Sequence, residues 1–506
     1  MIPGFERWTA RYGDLHNHSD VSYGAGSAAA ALTNAQLQLD FVSLTVHGAW
    51  PDVPADDPEL AYLVAYHQEG FERARSAWTD HLARSEAAND PGRFVTVPSF
   101  EWHSRRFGDH CVYFRDGAAS DIIDAPDLPT LRARVAERDP DALLIPHHIG
   151  YECGHRGIDW ASFDAARSPV VETMSFHGSA ESCDGSVPYL HAMGPLDGRA
   201  TARAGWKAGH RFGLVGSTDH HAAMPGAYGY GRLGAWMPEL TRDGLWEALG
   251  ARRTWALTGD RIDLAFTVND VPMGGVAADA DQRDVVVGIR GGDGLEVIEI
   301  LHDERVVHLA SRAPGIATNG RVKVHLEVGW GERDRATPWD VTVAVRSGAL
   351  RDVEPRFRGP FPSVPPVAGE PFAPHALTVE ENAARFTTRT WPNPYSYVPA
   401  TEGICLELDG DDATELDVDA NGTRFTVPLR ELRDGSRTRH LGGFVSPAVR
   451  LRRAVGEAEY ATTLHFSHRP ERVEHDLYRV RVRQRNDQWA WSSPVWVESD
   501  PGKERG

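Results

Sequence analysis

The chain has 506 residues, 41% of them apolar and 25% charged, a composition that excludes fibrous, collagen-like and wholly disordered proteins. At roughly 150 residues per domain its length suggests two to four domains. Its 72 Asp and Glu outweigh 53 Lys and Arg, a formal net charge of -19; that acidic field repels phosphate backbones and anionic membranes and excludes general nucleic-acid binding.

Four cysteines, Cys111, Cys153, Cys183 and Cys405, show no CxxC spacing, so neither a zinc knuckle nor a dithiol redox motif is written here. No run reaches the roughly 18 apolar residues of a membrane helix. The opening MIPGFERWTARYGD lacks the basic-then-apolar order of a secretory signal, and the expected compartment is the cytoplasm.

In chain order, the first half alternates short apolar runs with helix-favouring stretches. The runs are the approach to Asp14, then 41–46, 94–97, 111–114, 143–145, 169–171 and 212–215, with helix favoured over 28–39 and 60–86. Continuous apolar strands between helices predict a parallel sheet buried on both faces, as in an α/β barrel whose working residues sit at the strands' carboxyl ends. The run at 111–114 reads equally as the return arm of a hairpin after Glu101-Trp102. A helix over 245–249, capped by Thr241 or Asp243 and broken by Gly250, closes this half, with a boundary near Arg261.

Beyond it, alternating apolar and polar residues at 262–268, 285–289, 297–302, 322–328 and 341–345, with turn chemistry at Asn269-Asp270, predict an antiparallel β-sandwich-like domain over 262–350. The next stretch, 351–400, carries Pro355, Pro360, Pro362, Pro365, Pro366, Pro371 and Pro374 and reads as a connection. Strands resume at 403–408, 423–427, 463–466, 478–484 and 493–497 in a β-rich region, 401–500, that can belong to the same sandwich. Residues 500–506 read as a frayed end.

The chemistry lies at the ends of the apolar runs. His16 and His18 stand in Asp14-Leu15-His16-Asn17-His18-Ser19, His47 ends the second run, and Glu101 and His103 end the third. His110 precedes the fourth run, His147 and His148 end the fifth, Glu172 and His177 follow the sixth, and Asp219, His220 and His221 end the seventh. Residues two apart on a strand share a face, which pairs His16 with His18 and Asp219 with His221. Neutral imidazole and carboxylate suit zinc, manganese and iron(II), and so many of them predict a site for more than one divalent ion. A lone strand-end histidine is more often a hydrogen-bonded structural residue than a ligand, so the joint pattern carries this reading. His67, His81, His155, His191 and His210 lack that setting and read as surface or core residues. Cys111 and Cys183 read as small buried apolar residues.

The HxH opening, His47, Glu101, Pro146-His147-His148 and the closing Gly216-Ser217-Thr218-Asp219-His220-His221 resemble the polymerase-and-histidinol-phosphatase (PHP) superfamily of metal-dependent hydrolases. The stretches 252–262 and 489–497 look like a bacterial branch of it without settled function, in which a β-rich region follows the catalytic domain. The resemblance implies a distorted (βα)7 barrel over 1–261 holding two or three divalent ions (Mn, Fe or Zn). One ion would sit on His16, His18, a bridging Glu101 and Asp219. A second would use Glu101, with His110, His147, His148 and His177 competing for it. A third would use His47 and His221, with Asp20 substituting for a histidine that the family carries shortly after the HxH motif.

The residues read by themselves agree with that chemistry. Two ions about 3.5 to 4 Å apart hold a bridging hydroxide, neutralise a bound phosphate and stabilise the departing oxygen. No GxSxG elbow or P-loop is present. The expected activity is phosphoester hydrolysis on a small anionic phosphomonoester or phosphodiester. His177 or His220 would protonate the leaving group, and Arg105, Arg106 or Arg232 would clamp the anion. Two other readings stay open: amide or lactone hydrolysis at the same centre, and a carbohydrate-binding protein whose Trp330, Trp339, Trp391, Trp489, Trp491 and Trp496 stack on sugars. Aromatics in strands more often pack, so the β-rich half reads as a buttress or as the contact face of a homo-oligomer.

Overall fold

The computed structural model describes residues 4–498 apart from 186, 314, 316–319, 332–333, 364–374, 393–399 and 472–474. The expected frayed end and Pro365, Pro366, Pro371 and Pro374 lie outside the described residues. The amino-terminal half contains strands β1 (Thr9–Asp14), β2 (Phe41–Val42), β3 (Val46–Ala49), β4 (Val95–Thr96), β5 (Ser99–Trp102), β6 (His110–Tyr113), β7 (Leu143–Pro146), β8 (Val170–Ser175), β9 (Gly178–Ser179), β10 (Gly213–Gly216), β11 (Arg232–Met237) and β12 (Thr254–Leu257). Helices α1 (Ala28–Gln38), α2 (Ala61–Ala88), α3 (Leu128–Arg138), α4 (Ala202–Lys207) and α5 (Arg242–Gly250) are set among them.

Side-chain caps start four of these helices, α4 among them through Thr201, which accepts from Ala204 N. Ser27 accepts from Ala30 N, Asp127 from Thr130 N and Thr241 from Gly244 N, each satisfying a first-turn amide that has no intrahelical partner. Gly250 is the last residue of α5 rather than its breaker.

The molecule is mixed α/β and strand-rich, divided into several sheets. β1, β2 and β4 lie side by side and parallel, as do β3 with β5 and β8 with β10. The third apolar run divides at Pro98, which has no amide to continue a ladder. The run at Cys111 is the antiparallel arm of a hairpin: Glu101 lies opposite Cys111 and Trp102 opposite His110. Past the ends of β1 and β10 the chain is joined by Asp219 N to His16 O at 2.7 Å and His18 N to His220 O at 2.8 Å. One core packs these strands on α5 through Leu245 and Leu249, and another packs them on α2 and α3 through Ala74, Trp78, Leu131 and Val135. Each large apolar side chain so buried contributes about 1.5–3 kcal/mol.

In the second half, Asp263–Val268, Arg283–Arg290 and Ala461–His468 form an antiparallel layer. It packs on Leu295–His302 and Leu477–Gln484 through Phe266, Val287, Ile298 and Val480. β12 pairs with Trp489–Ser492, so the carboxy-terminal strands extend the sheet that holds β1. A separate two-layer sandwich sets Gly320–Trp330 and Glu402–Gly410 against Thr337–Arg346 and Ala383–Thr390, with alternate residues such as Val322, Val324, Val341, Val343, Phe386 and Leu406 filling its core.

Pairing therefore groups 320–456 as one unit set between strands that precede and follow it, where the sequence suggests cuts at 350 and 400. The expected Pro-rich connection holds the strands Ala376–Glu380 and Ala383–Thr390, because Ala384, Phe386 and Thr388 alternate inward. Among the described residues no helix is long and apolar enough to cross a membrane.

Candidate metal centre

His16 and His18 follow β1 in the chain segment that bridges to His220 at Asn17, and both are fully buried. Each is oriented from behind. His18 Nδ1 donates to the carbonyl of Thr45 at 2.7 Å, and His16 Nδ1 donates to Glu172 at 3.2 Å. Each ring then turns its Nε2 toward the other, the two atoms 3.1 Å apart. Asp219 Oδ1 stands 3.3 Å from His16 Nε2 and 3.1 Å from His18 Nε2. Glu101 Oε2 stands 3.8 and 3.6 Å from the same atoms. Ligand atoms about 2.0–2.1 Å from one tetrahedral ion are about 3.3 Å apart.

Glu101 faces two ways. Its Oε1 accepts from His147 Nε2 at 2.7 Å and lies 3.2 Å from His103 Nδ1. Its Oε2 lies 3.4 Å from His47 Nε2 and is buried with no hydrogen-bond partner. Burial raises the pKa of this carboxyl, but His103, His147 and His47 outweigh it and hold the group well below the usual carboxylate range. Burial keeps His47 and His147 neutral, the form that offers a lone pair. Beyond Glu101, Asp109 contacts His103 at 3.0 Å and His148 at 3.2 Å and is paired with Arg156. On the other flank, His18, His47 and His221 form a further group of ligand atoms. His221 Nδ1 donates to Asp219 O at 2.9 Å. Asp219 and His148 hold left-handed backbone, φ +52° and +29°, a conformation that costs about 1–3 kcal/mol and clusters at functional sites.

The expected site residues divide. His16, His18, His47, Glu101, His147, His148, Asp219 and His221 converge, and His177 joins them, its Nε2 2.9 Å from Asp219 and its Nδ1 hydrogen-bonded to Tyr151. His110 does not. It shares a face with Trp102 and donates to Gly108 O at 3.0 Å, whereas Cys111, one residue on, turns toward His147. The two-residue period that pairs His16 with His18 selects Asp109 and Cys111 over His110.

Asp20 is exposed in a separate hollow with Asp80 and Arg84. In its stead Ser22 bonds His47 Nδ1 at 2.7 Å, and Tyr23 stacks on that ring. His220 points away and donates to Pro360 O at 3.0 Å. Arg232 is a buried structural residue, donating to Gly226 O at 2.8 Å and to Gln38 at 3.0 Å. Arg106 stacks on Phe107. Cys183 is exposed, contrary to its expected burial.

A cavity of about 880 Å³ opens over this cluster. Arg105 lines it, as do His67, His155 and His191, whose places in the sequence predict surface or core residues. His81 and His210 are structural, donating to the carbonyls of Leu44 and Trp160. Asp109, Arg156, Tyr23 and Tyr151 stand in no sequence motif, and only their spatial neighbours place them at the cluster. The cavity wall is completed from the sandwich by Pro362 and Ser363. The segment leading there is tied down by Tyr228 N to Phe357 O at 2.8 Å and by His221 N to Pro362 O at 3.0 Å.

No family model matches the chain. An uncharacterized protein of Chlamydia pneumoniae is 24% identical over 240 residues, 44% of this chain. The chain matches 38% of that relative's length. Among solved structures, a two-domain protein from Bacteroides vulgatus containing a predicted PHP-like metal-dependent phosphoesterase is 13% identical, with 85% of this chain and 97% of that one covered at a TM-score of 0.35.

Proposed function

We propose that the chain is a metal-dependent phosphoesterase of the PHP type, acting on a small phosphomonoester or phosphodiester, with its first half arranged as that family's distorted (βα)7 barrel. The supporting observation is Glu101 Oε2, a buried carboxylate oxygen with no hydrogen-bond partner that faces imidazole nitrogens of His16, His18 and His47 at 3.4–3.8 Å. Lone pairs and carboxylate oxygens gathered out of water are costly unless a cation joins them.

The donor set fits manganese, iron(II) or zinc. His16, His18, Glu101 and Asp219 would hold one ion, and Glu101 with Asp109, His147 and His148 a second. His18, His47 and His221 would serve a third. Divalent ions there supply Lewis acidity and charge neutralisation for displacement at phosphorus.

The chain's own groups do the positioning. Glu172 and the Thr45 carbonyl fix the His16 and His18 rings. Asp219 and Tyr151 hold His177 on the cavity wall by its two ring nitrogens, and burial depresses its pKa to about 3, so the resting ring is a neutral imidazole. The reading includes a small anionic substrate and a cytoplasmic setting, which four unpaired cysteines suit.

The test is elemental analysis with a phosphatase screen. About two or three metal equivalents are expected, with metal and turnover both lost in His16→Ala and Asp219→Ala. A folded chain that takes up no ion on titration overturns the reading; turnover of amides or lactones but of no phosphate ester assigns the centre to carbonyl chemistry.

A further inference from the structure

The cavity over the centre is far larger than a phosphoryl group. At about 880 Å³ it lies in the upper part of the roughly 300–1,000 Å³ range of pockets that enclose drug-sized molecules. Besides the histidine cluster and the imidazoles of His67, His155 and His191, its lining includes an apolar wall of Trp50, Leu60, Leu63, Tyr66, Phe176 and Met193. The two wall residues with polar tips have already used them: Trp50 Nε1 donates to Asp52 at 3.0 Å and Tyr66 OH donates to the carbonyl of Tyr23 at 2.8 Å. These six residues therefore present ring faces and methylenes. A polyol or sugar laid against that wall would leave the hydroxyls facing it without partners, at about 1–3 kcal/mol each, whereas an aromatic ring would bury apolar surface. Arg73 and Arg105 line the same cavity, both exposed and neither within ion-pair distance of a carboxylate among the described residues, so positive charge is available where an anion enters.

We propose that the substrate is a phosphate ester of an aromatic or comparably bulky apolar alcohol, selected by the wall around Leu63, Tyr66 and Phe176. This rests on the phosphoesterase reading and narrows it. Leu63 and Phe176 are only partly buried and make none of the cluster's hydrogen bonds, which makes them suitable places to alter specificity without unfolding the chain.

The test uses the full-length, metal-loaded protein and two inert probes, phenylphosphonate and methylphosphonate, titrated by calorimetry beside turnover of phenyl phosphate and glycerol phosphate. Phenylphosphonate is expected to bind at least about tenfold tighter than methylphosphonate, and Phe176→Ala and Leu63→Ala each to erase about tenfold of that preference with metal content unchanged. Equal affinity for the two probes, or variants that leave their ratio unchanged, overturns the proposal even if both esters are hydrolysed, in which case the phosphoesterase reading stands. Preferential binding of phenylphosphonate with no ester turned over has the opposite meaning: the apolar wall is supported and the phosphoesterase reading fails.

Discussion

The backbone amide of His221 donates to the carbonyl of Pro362 at 3.0 Å, so a segment leaving the β-sandwich is bonded to the very turn that carries Asp219 and His221. Gly359 lies within that segment at φ +71°, where an added Cβ would stand 2.6 Å from Met224 Cγ. Gly359→Ala is expected to cost about 1–3 kcal/mol in stability and to lower turnover by shifting the His221 turn. Thermal unfolding and kcat, measured together, check this. Unchanged values for both would show that the segment does not support the centre.

Glu402 anchors the same segment, accepting from Arg358 N at 2.7 Å and Gly359 N at 2.9 Å. Burial pushes its pKa up to about 8, against those two bonds. An acid whose folded value is raised stabilises the fold fully below its ordinary value of 4.5 and loses that contribution as pH rises through about 8. Unfolding free energy is expected to decline across this window, and Glu402→Gln, which cannot ionise, should flatten the decline. Parallel slopes for the two proteins would refute it.

Buried neutral histidines act in the opposite direction at acid pH. Burial depresses His81 and His110 to about 4, and neither belongs to the metal cluster. A base with a depressed folded value contributes stability above its unfolded value of 6.5 that disappears as pH falls through about 4. Urea unfolding of the metal-free chain should weaken steadily between those limits, less steeply in His81→Gln; a flat profile would count against it.

Glu172 touches the proposed ions only through His16. Glu172→Gln keeps an oxygen that accepts from His16 Nδ1 and removes the charge, and it is expected to weaken metal binding about 10–100-fold while the chain stays folded. Competition with a chelator reads the affinity, and circular dichroism reads the fold. An affinity within twofold of the parent would leave Glu172 a packing residue only.

Arg232 offers the contrasting case. Its guanidinium is fully buried on Gly226 O and Gln38, so Arg232→Met should lower stability by about 1–3 kcal/mol with no change in KM. A raised KM with stability unchanged would return it to the anion-clamp role that its sequence position suggests.

The amino-acid sequence by itself determined the strand-end grouping of His16, His18, His47, Glu101, Asp219 and His221, because a period of two puts alternate residues on one face and short apolar runs mark where each strand ends. It also determined the α1 span and most strands after Arg261, set by local patterning, and narrowed the α5 cap to Thr241 or Asp243, of which the structure uses Thr241. Only the tertiary structure decided between neighbours in sequence. His110 is turned away from the cluster, though still buried, by the hairpin register that sets it opposite Trp102, while Asp109 is brought in beside His103 and Arg156. It also decided that a segment of the sandwich closes the cavity at Pro362. Local periodicity carries no information about which distant strands pair, and those pairings alone bring residues more than a hundred positions apart to within a hydrogen bond of one another.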